Sequence, residues 1–273
     1  MQKTFKTPRA TSVYVELGSG ALSVRAEDVA ETTVSVDGKN SDDVIVEQRG
    51  NQVVVLAAQR RTGFFAGFEK LTVSVTLPAS SELATKLGSA DLDSSGRLGN
   101  VKIKSGSGEV RLGELGADAL VETGSGDVTF DSVAGQLRIK SGSGDVEVDR
   151  LGSAAAISTG SGDVQIGASH GDVTVKSGSG DTRIREAHSD LSLTTASGDL
   201  VVGVLHRGGL QAKNVSGDIH VGIPADIPVW TDISCVTGSV TSTLAGAGQP
   251  EDGQDFIEVR AKTVSGDIVL EQL

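Results

Sequence analysis

The chain has 273 residues, of which 37% are hydrophobic and only 3% aromatic, with 36 glycines against 5 prolines. That much glycine does not suit a helical bundle, since each one weakens a helix interior, and so few prolines without a strict glycine triplet exclude collagen. Acids outnumber bases 36 to 24, a net charge of −12 that argues against a nucleic-acid partner, and the single Cys235 makes neither an internal disulfide nor a cysteine-rich zinc site.

Residues 1–87 read as a β-rich N-terminal cap with irregular first coils. The opening has two lysines but no apolar run of signal-peptide length. No run of about 20 apolar residues occurs anywhere, so no integral membrane segment is expected, and the expected location is cytoplasmic. Val44–Val46 and Val53–Val55 flank Arg49-Gly50-Asn51, the pattern of a hairpin. The stretch from Arg60 to Phe68 holds three of the six phenylalanines. It reads as a plug over an open core, with a partner- or membrane-touching loop as the alternative. Leu71, Val73, Val75 and Leu77 form a strand that stops at Pro78.

Residues 88–220 are periodic. A Gly–acid pair recurs at Gly108-Glu109, Gly126-Asp127, Gly144-Asp145, Gly162-Asp163, Gly180-Asp181 and Gly198-Asp199, in steps of 18 residues. Within a step the apolar residues alternate, as in Val128 and Phe130 or Val146 and Val148, with a further inward point at Val133 or Leu151. Alternation means strands with one buried face. One such repeat cannot bury its own apolar face, and stacking supplies the missing cover. The predicted fold is all-β, a parallel β-solenoid of about 18 residues per coil with atypical β caps at both ends. Lysines at 104, 140 and 176 recur at 36, which leaves a 36-residue turn as an alternative. That wider perimeter would enclose more space than these aliphatic side chains fill.

Residues 221–273 read as irregular C-terminal coils and a cap, continuous with the rest as one domain. Gly217-Asp218, Gly238-Ser239 and Gly266-Asp267 follow one another at looser spacing. Val229 and Trp230 are expected to plug this end, Cys235 to be a small buried residue, and 249–253 to be a polar loop. Thick ends predict blocked strand edges and a monomer or small oligomer.

The SGSGDV turns, the stretch TSVYVELGSGALSVRAEDVAETTVSV (11–36) and RAKTVSGDIVL (260–270) carry a family resemblance. The chain resembles the bacterial β-strand-repeat family of unknown function labelled "putative adhesin". The resemblance implies architecture and no catalytic residues.

The chemistry is sparse. The Gly-Ser-Gly-acid turn lacks the Lys-Ser/Thr of a phosphate loop, and no GxSxG, HExxH or Cys–His pairing occurs. No enzyme activity, catalytic residue or cofactor is expected. The expected role is a non-catalytic scaffold or interaction protein with an unidentified protein partner. The alternative is a ligand- or metal-binding module built on stacked Asp or His columns. Nine acids share one coil position (Asp91, Glu109, Asp127, Asp145, Asp163, Asp181, Asp199, Asp218 and Asp267). Repulsion along such a column is relieved either by bonding of each carboxylate to the N–H groups of its own turn or by calcium. His170, His188 and His206, spaced 18 and 18, form a second column, with Asp172 and Asp190 two residues on. Adjacent imidazoles there could share a divalent metal with an aspartate, or sense protons. The plainer reading is an exposed turn, since Gly116, Ala134 and Gly152 hold the same place earlier.

Overall fold

The computed structural model describes residues 1–57, 70–225, 227–244 and 256–273. These are strands almost throughout, with one 3-10 turn at Ser41–Asp43, and they form two compact units, Met1–Gly135 and Gln136–Leu273.

In the first unit, two long strands each run through a whole coil. Ser12–Glu27 lies beside Glu82–Leu98 in parallel. From there the register settles at 18 residues, with Leu83 beside Val101, Val101 beside Ala119, and Val110 beside Val128. The second unit keeps the same step. Val146, Val164, Thr182 and Leu200 stand in one row, and Leu137, Ala155, Val173 and Leu191 in another. One turn therefore takes 18 residues, and the parallel ladders repeat at about 4.8 Å.

Each coil has two short strands and a corner. In Val146–Leu151 the inward residues are Val146, Val148 and Leu151, all buried. Burying such a side chain contributes about 1.5–3 kcal/mol. Phe130 is the one aromatic among the buried hydrophobic residues described, consistent with a thin core. No described helix is long and apolar enough to cross a membrane.

Coil order departs from chain order at both ends. In the first unit, Gln52–Leu56 and Leu71–Pro78 pair in parallel with Ser12–Glu27 on the side away from Glu82–Leu98, so later residues lie outside earlier ones. This outer layer is closed by antiparallel strands: Ile45–Arg49 on Gln52–Leu56, Glu31–Asp37 on Leu71–Pro78, and Gln2–Lys6 on Glu31–Asp37. Val44 and Val46 are buried here, and Lys3 Nζ donates to the Val46 carbonyl at 2.8 Å.

In the second unit, spacing alone suggests that the coils at 217, 238 and 266 succeed one another. Instead Ile257–Ser265 lies between Gly209–Ser216 and Val229–Thr237, and Ile268–Gln272 between Ile219–Ile223 and Val240–Ser242. The later coil fills a gap that the earlier one leaves. The expected plug and blocked edge are therefore not found among the described residues at this end. Val240 is 50% exposed, whereas Ile268, beside it in register, is 0% exposed. Trp230 is 46% exposed, with the Arg260 guanidinium over its ring at 5.5 Å. Val229 and Cys235 are half-buried, for the same lack of a further coil. The Phe-rich stretch 60–68 and the polar loop 249–253 lie outside the described residues.

Candidate functional site

The repeated turn is held by three devices. The first is glycine. Gly126, Gly144, Gly162, Gly180 and Gly198 adopt φ of 121, 117, 113, 118 and 126°. A Cβ at Gly126 would also stand 2.5 Å from the Gly108 carbonyl oxygen. Gly108 does not share the positive φ, but its Cβ would meet the Ala90 carbonyl oxygen at 1.9 Å.

The second device is the acid, and it works across coils. Asp145 Oδ1 accepts the N–H of Asp163 at 2.8 Å, Asp163 that of Asp181 at 2.9 Å, and Asp181 that of Asp199 at 2.8 Å. The relay continues through Asp199 to Asp218, Asp218 to Asp267 and Asp267 to Ser239, at 2.8, 2.7 and 2.7 Å. In the first unit Asp91 receives the Glu109 N–H at 3.0 Å. Each of these carboxylates thus accepts from the neighbouring coil, where bonding within its own turn was expected. A parallel stack presents the next coil's N–H directly to the carboxylate, and a charged acceptor makes a strong bond. At Asp267 the two hydrogen bonds from Ser239, backbone first, hold the carboxyl below its ordinary range, against a smaller opposing effect of burial.

The third device is a row of small polar residues that the repeat pattern displayed without revealing its task. Thr159 and Thr195 donate to the Ser161 and Ser197 carbonyls at 2.8 and 3.1 Å, and Ser141 to that of Ser143 at 3.1 Å. Cys235 extends the row, its Sγ donating to the Gly266 carbonyl at 3.2 Å. The 36-residue alternation of Ser and Thr is therefore two hydroxyls doing one job.

The histidines do form a column. His170 and His188 stack at 4.9 Å between ring centroids and 14° between planes, and His188 and His206 at 4.4 Å and 1°. Their backbones are fixed by N–H bonds to the Leu151, Ser169 and Ala187 carbonyls at 2.9, 2.9 and 2.8 Å. Burial lowers the pKa of His188, and His206 and His170 beside it lower it further, while Glu186 opposes them. The aspartates are engaged elsewhere. Asp172 accepts from the Ser189 hydroxyl, and Asp190 from the Gly209 N–H at 2.7 Å. Both line a shallow groove of about 390 Å³ that also takes in Thr174, Gln211 and Arg260. The carboxylate that reaches the histidines belongs to Glu186, with its oxygen and the nitrogens of His188 and His206 all within 4.8 Å of one another. The fourth histidine, His220, instead faces Glu271 at 3.1 Å.

A feature of the surface was not read from the sequence. Five strands of the second unit, from Leu137–Ser143 to Gly209–Ser216, align their outward residues in two rows. One row contains Lys140, Lys176 and Lys213, and the other begins at Arg138. All four cations are exposed, and these five strands carry no acid. The next strand adds Arg260 and Lys262, which meet Glu258 and Asp232. The periodic lysines were visible in the sequence, but the acid-free face appears only once the strands are laid side by side.

Several solved structures are similar to this chain. A "putative adhesin" from Bacteroides fragilis NCTC 9343 is 11% identical, covering 100% of this chain and 96% of that one at a TM-score of 0.35. Another from Parabacteroides merdae ATCC 43184 is 12% identical, with 99% and 95% covered at 0.33. A "putative lipid binding protein" from Parabacteroides distasonis ATCC 8503 is 14% identical, with 98% and 96% covered at 0.36. No curated protein matches the chain. The family described as Toastrack DUF4097 matches residues 10–184 and 121–271, and the chain belongs to that family.

Proposed function

We propose that this is a non-catalytic β-solenoid interaction protein that binds, through the basic strand face of its second unit, a protein with a carboxylate-rich surface. The observation that carries the reading is the exposed row of Lys140, Lys176 and Lys213 on strands without an acid, in a chain of net charge −12. Lysines two rungs apart are about 10 Å from one another. Over that distance like charges repel by only about 0.4 kcal/mol in water, so the face stands unaided and gains from meeting carboxylates. Complementary fields of this kind steer encounter and fix register more than they add affinity.

The acids of the turns do not compete for these lysines, because the relay of carboxylates to backbone N–H groups already occupies them. The rigid coil then acts as a ruler, keeping the cations at fixed spacing without ordering cost on binding.

Carbodiimide coupling in extracts of the native cell, which joins amines to carboxylates in direct contact, tests this reading. Mass spectrometry should map the joins to Lys140, Lys176 and Lys213. Joins confined to lysines elsewhere, such as Lys3 or Lys39, would contradict it.

A further inference from the structure

We propose that Glu186, His188 and His206 form a site for one divalent cation, with Zn²⁺ the best match. This goes beyond the reading of the basic face and does not depend on it. Two imidazole nitrogens and one carboxylate oxygen are a zinc donor set that leaves a fourth position open. The three donor atoms lie within 4.8 Å of one another, and all three side chains are half-buried at the surface.

The site spans two coils. Glu186 and His188 belong to one, and His206 to the next, 18 residues on. Their backbones are held by the inter-coil N–H bonds of His188 and His206 and by the fully buried Ala187 and Leu205 beside them. Glu186 stands in register between Ala168 and Val204, so neither rung beside it offers a cation to neutralise its charge. Arg207, whose Nε donates to the His188 carbonyl at 3.4 Å, is the basic group acting on His188.

The rings must move slightly to coordinate. A tetrahedral zinc with bonds of about 2.0–2.1 Å places its donors about 3.4 Å apart. Imidazole lone pairs lie in the ring plane, and rings parallel within 1° point theirs side by side. Rotation of each ring about Cβ–Cγ brings the two lone pairs onto one ion, and the stack opens. The neighbouring histidines that hold His188 below the ordinary imidazole range also keep it neutral and able to ligate at pH 7. His170 stacks on the far side of His188 and is not in the donor group, while Asp172 and Asp190 are engaged by Ser189 and Gly209.

A cation here would clamp the coil of Glu186 and His188 to that of His206, so its binding should appear as stability. The test is titration of the full chain with ZnCl₂, read by calorimetry and by melting temperature. Wild type should bind one equivalent and melt higher. Glu186→Gln, His188→Ala and His206→Ala should each weaken binding at least tenfold, while their metal-free melting temperatures stay near wild type. His170→Ala and Asp190→Asn should bind as wild type does. Absence of zinc binding by wild type would overturn the site. Binding unchanged in Glu186→Gln or His206→Ala, or lost in His170→Ala, would overturn the assignment of its ligands.

Discussion

Oδ1 of Asp181 accepts the backbone N–H of Asp199 at 2.8 Å, so the acid of one turn anchors the turn of the next coil. A column of like charges, which repels in isolation, is thereby converted into a chain of charge-assisted bonds. Removing the acceptor strands the Asp199 N–H. Asp181→Ala should lower stability by about 1–2 kcal/mol, and Asp181→Asn, which keeps an amide oxygen, by less. Urea unfolding of the two variants checks the order. Equal losses would assign the effect to charge or packing rather than to this bond.

The same bond gives a pH dependence at Asp267, whose folded pKa is lowered by its hydrogen bonds from Ser239. A group depressed in the folded state stabilises above its unfolded pKa, near 3.9, and that contribution is lost as pH falls through the folded value. Wild type should therefore lose stability below about pH 4. Asp267→Asn should be less stable at neutral pH and should show a shallower acid limb in melting temperature against pH.

The turn glycines should be intolerant. Gly126 combines φ of 121° with a carbonyl oxygen 2.5 Å from where a Cβ would stand. Gly126→Val meets both obstacles and should cost more than about 2 kcal/mol. Ser125→Ala, at the neighbouring exposed position, should stay within about 0.5 kcal/mol. Chemical denaturation of the pair decides it.

Thr182 interrupts an apolar row. It stands between Val164 and Leu200, is 0% exposed, and its hydroxyl has no hydrogen-bond partner. A buried hydroxyl without a partner costs about 1–3 kcal/mol. Thr182→Val should raise stability by about 1 kcal/mol. Thr159→Val, which discards the bond to the Ser161 carbonyl, should lower it. Thermal melts of both variants, with opposite signs, are the expected outcome.

The 18-residue coil was legible because glycine, acid and alternating Val or Ile each mark a different point of the same turn. Spacing reports how much chain separates two turns, and it does not report which turn stacks on which. That is why Gly266 lying between Gly217 and Gly238 was hidden. The acceptor role of Asp181 was read as local because the sequence shows its own turn and conceals the N–H one coil away. At the histidine corner, Asp190 follows His188 by two residues and Glu186 precedes it by two, so spacing could not choose between them. The Asp190 carboxylate is drawn to the Gly209 N–H, whereas Glu186 ends an outward row beside the imidazoles.

Binding of poly-glutamate, a stand-in for a carboxylate-rich protein surface, tests the basic face most directly. In low salt the wild-type chain should bind it despite its net charge of −12, with affinity falling steeply as salt is raised. The triple variant Lys140→Gln, Lys176→Gln, Lys213→Gln should lose at least tenfold, while Lys3→Gln with Lys39→Gln should leave binding unchanged. Equal binding by the triple variant and wild type, or no binding by wild type at any salt, would contradict the account.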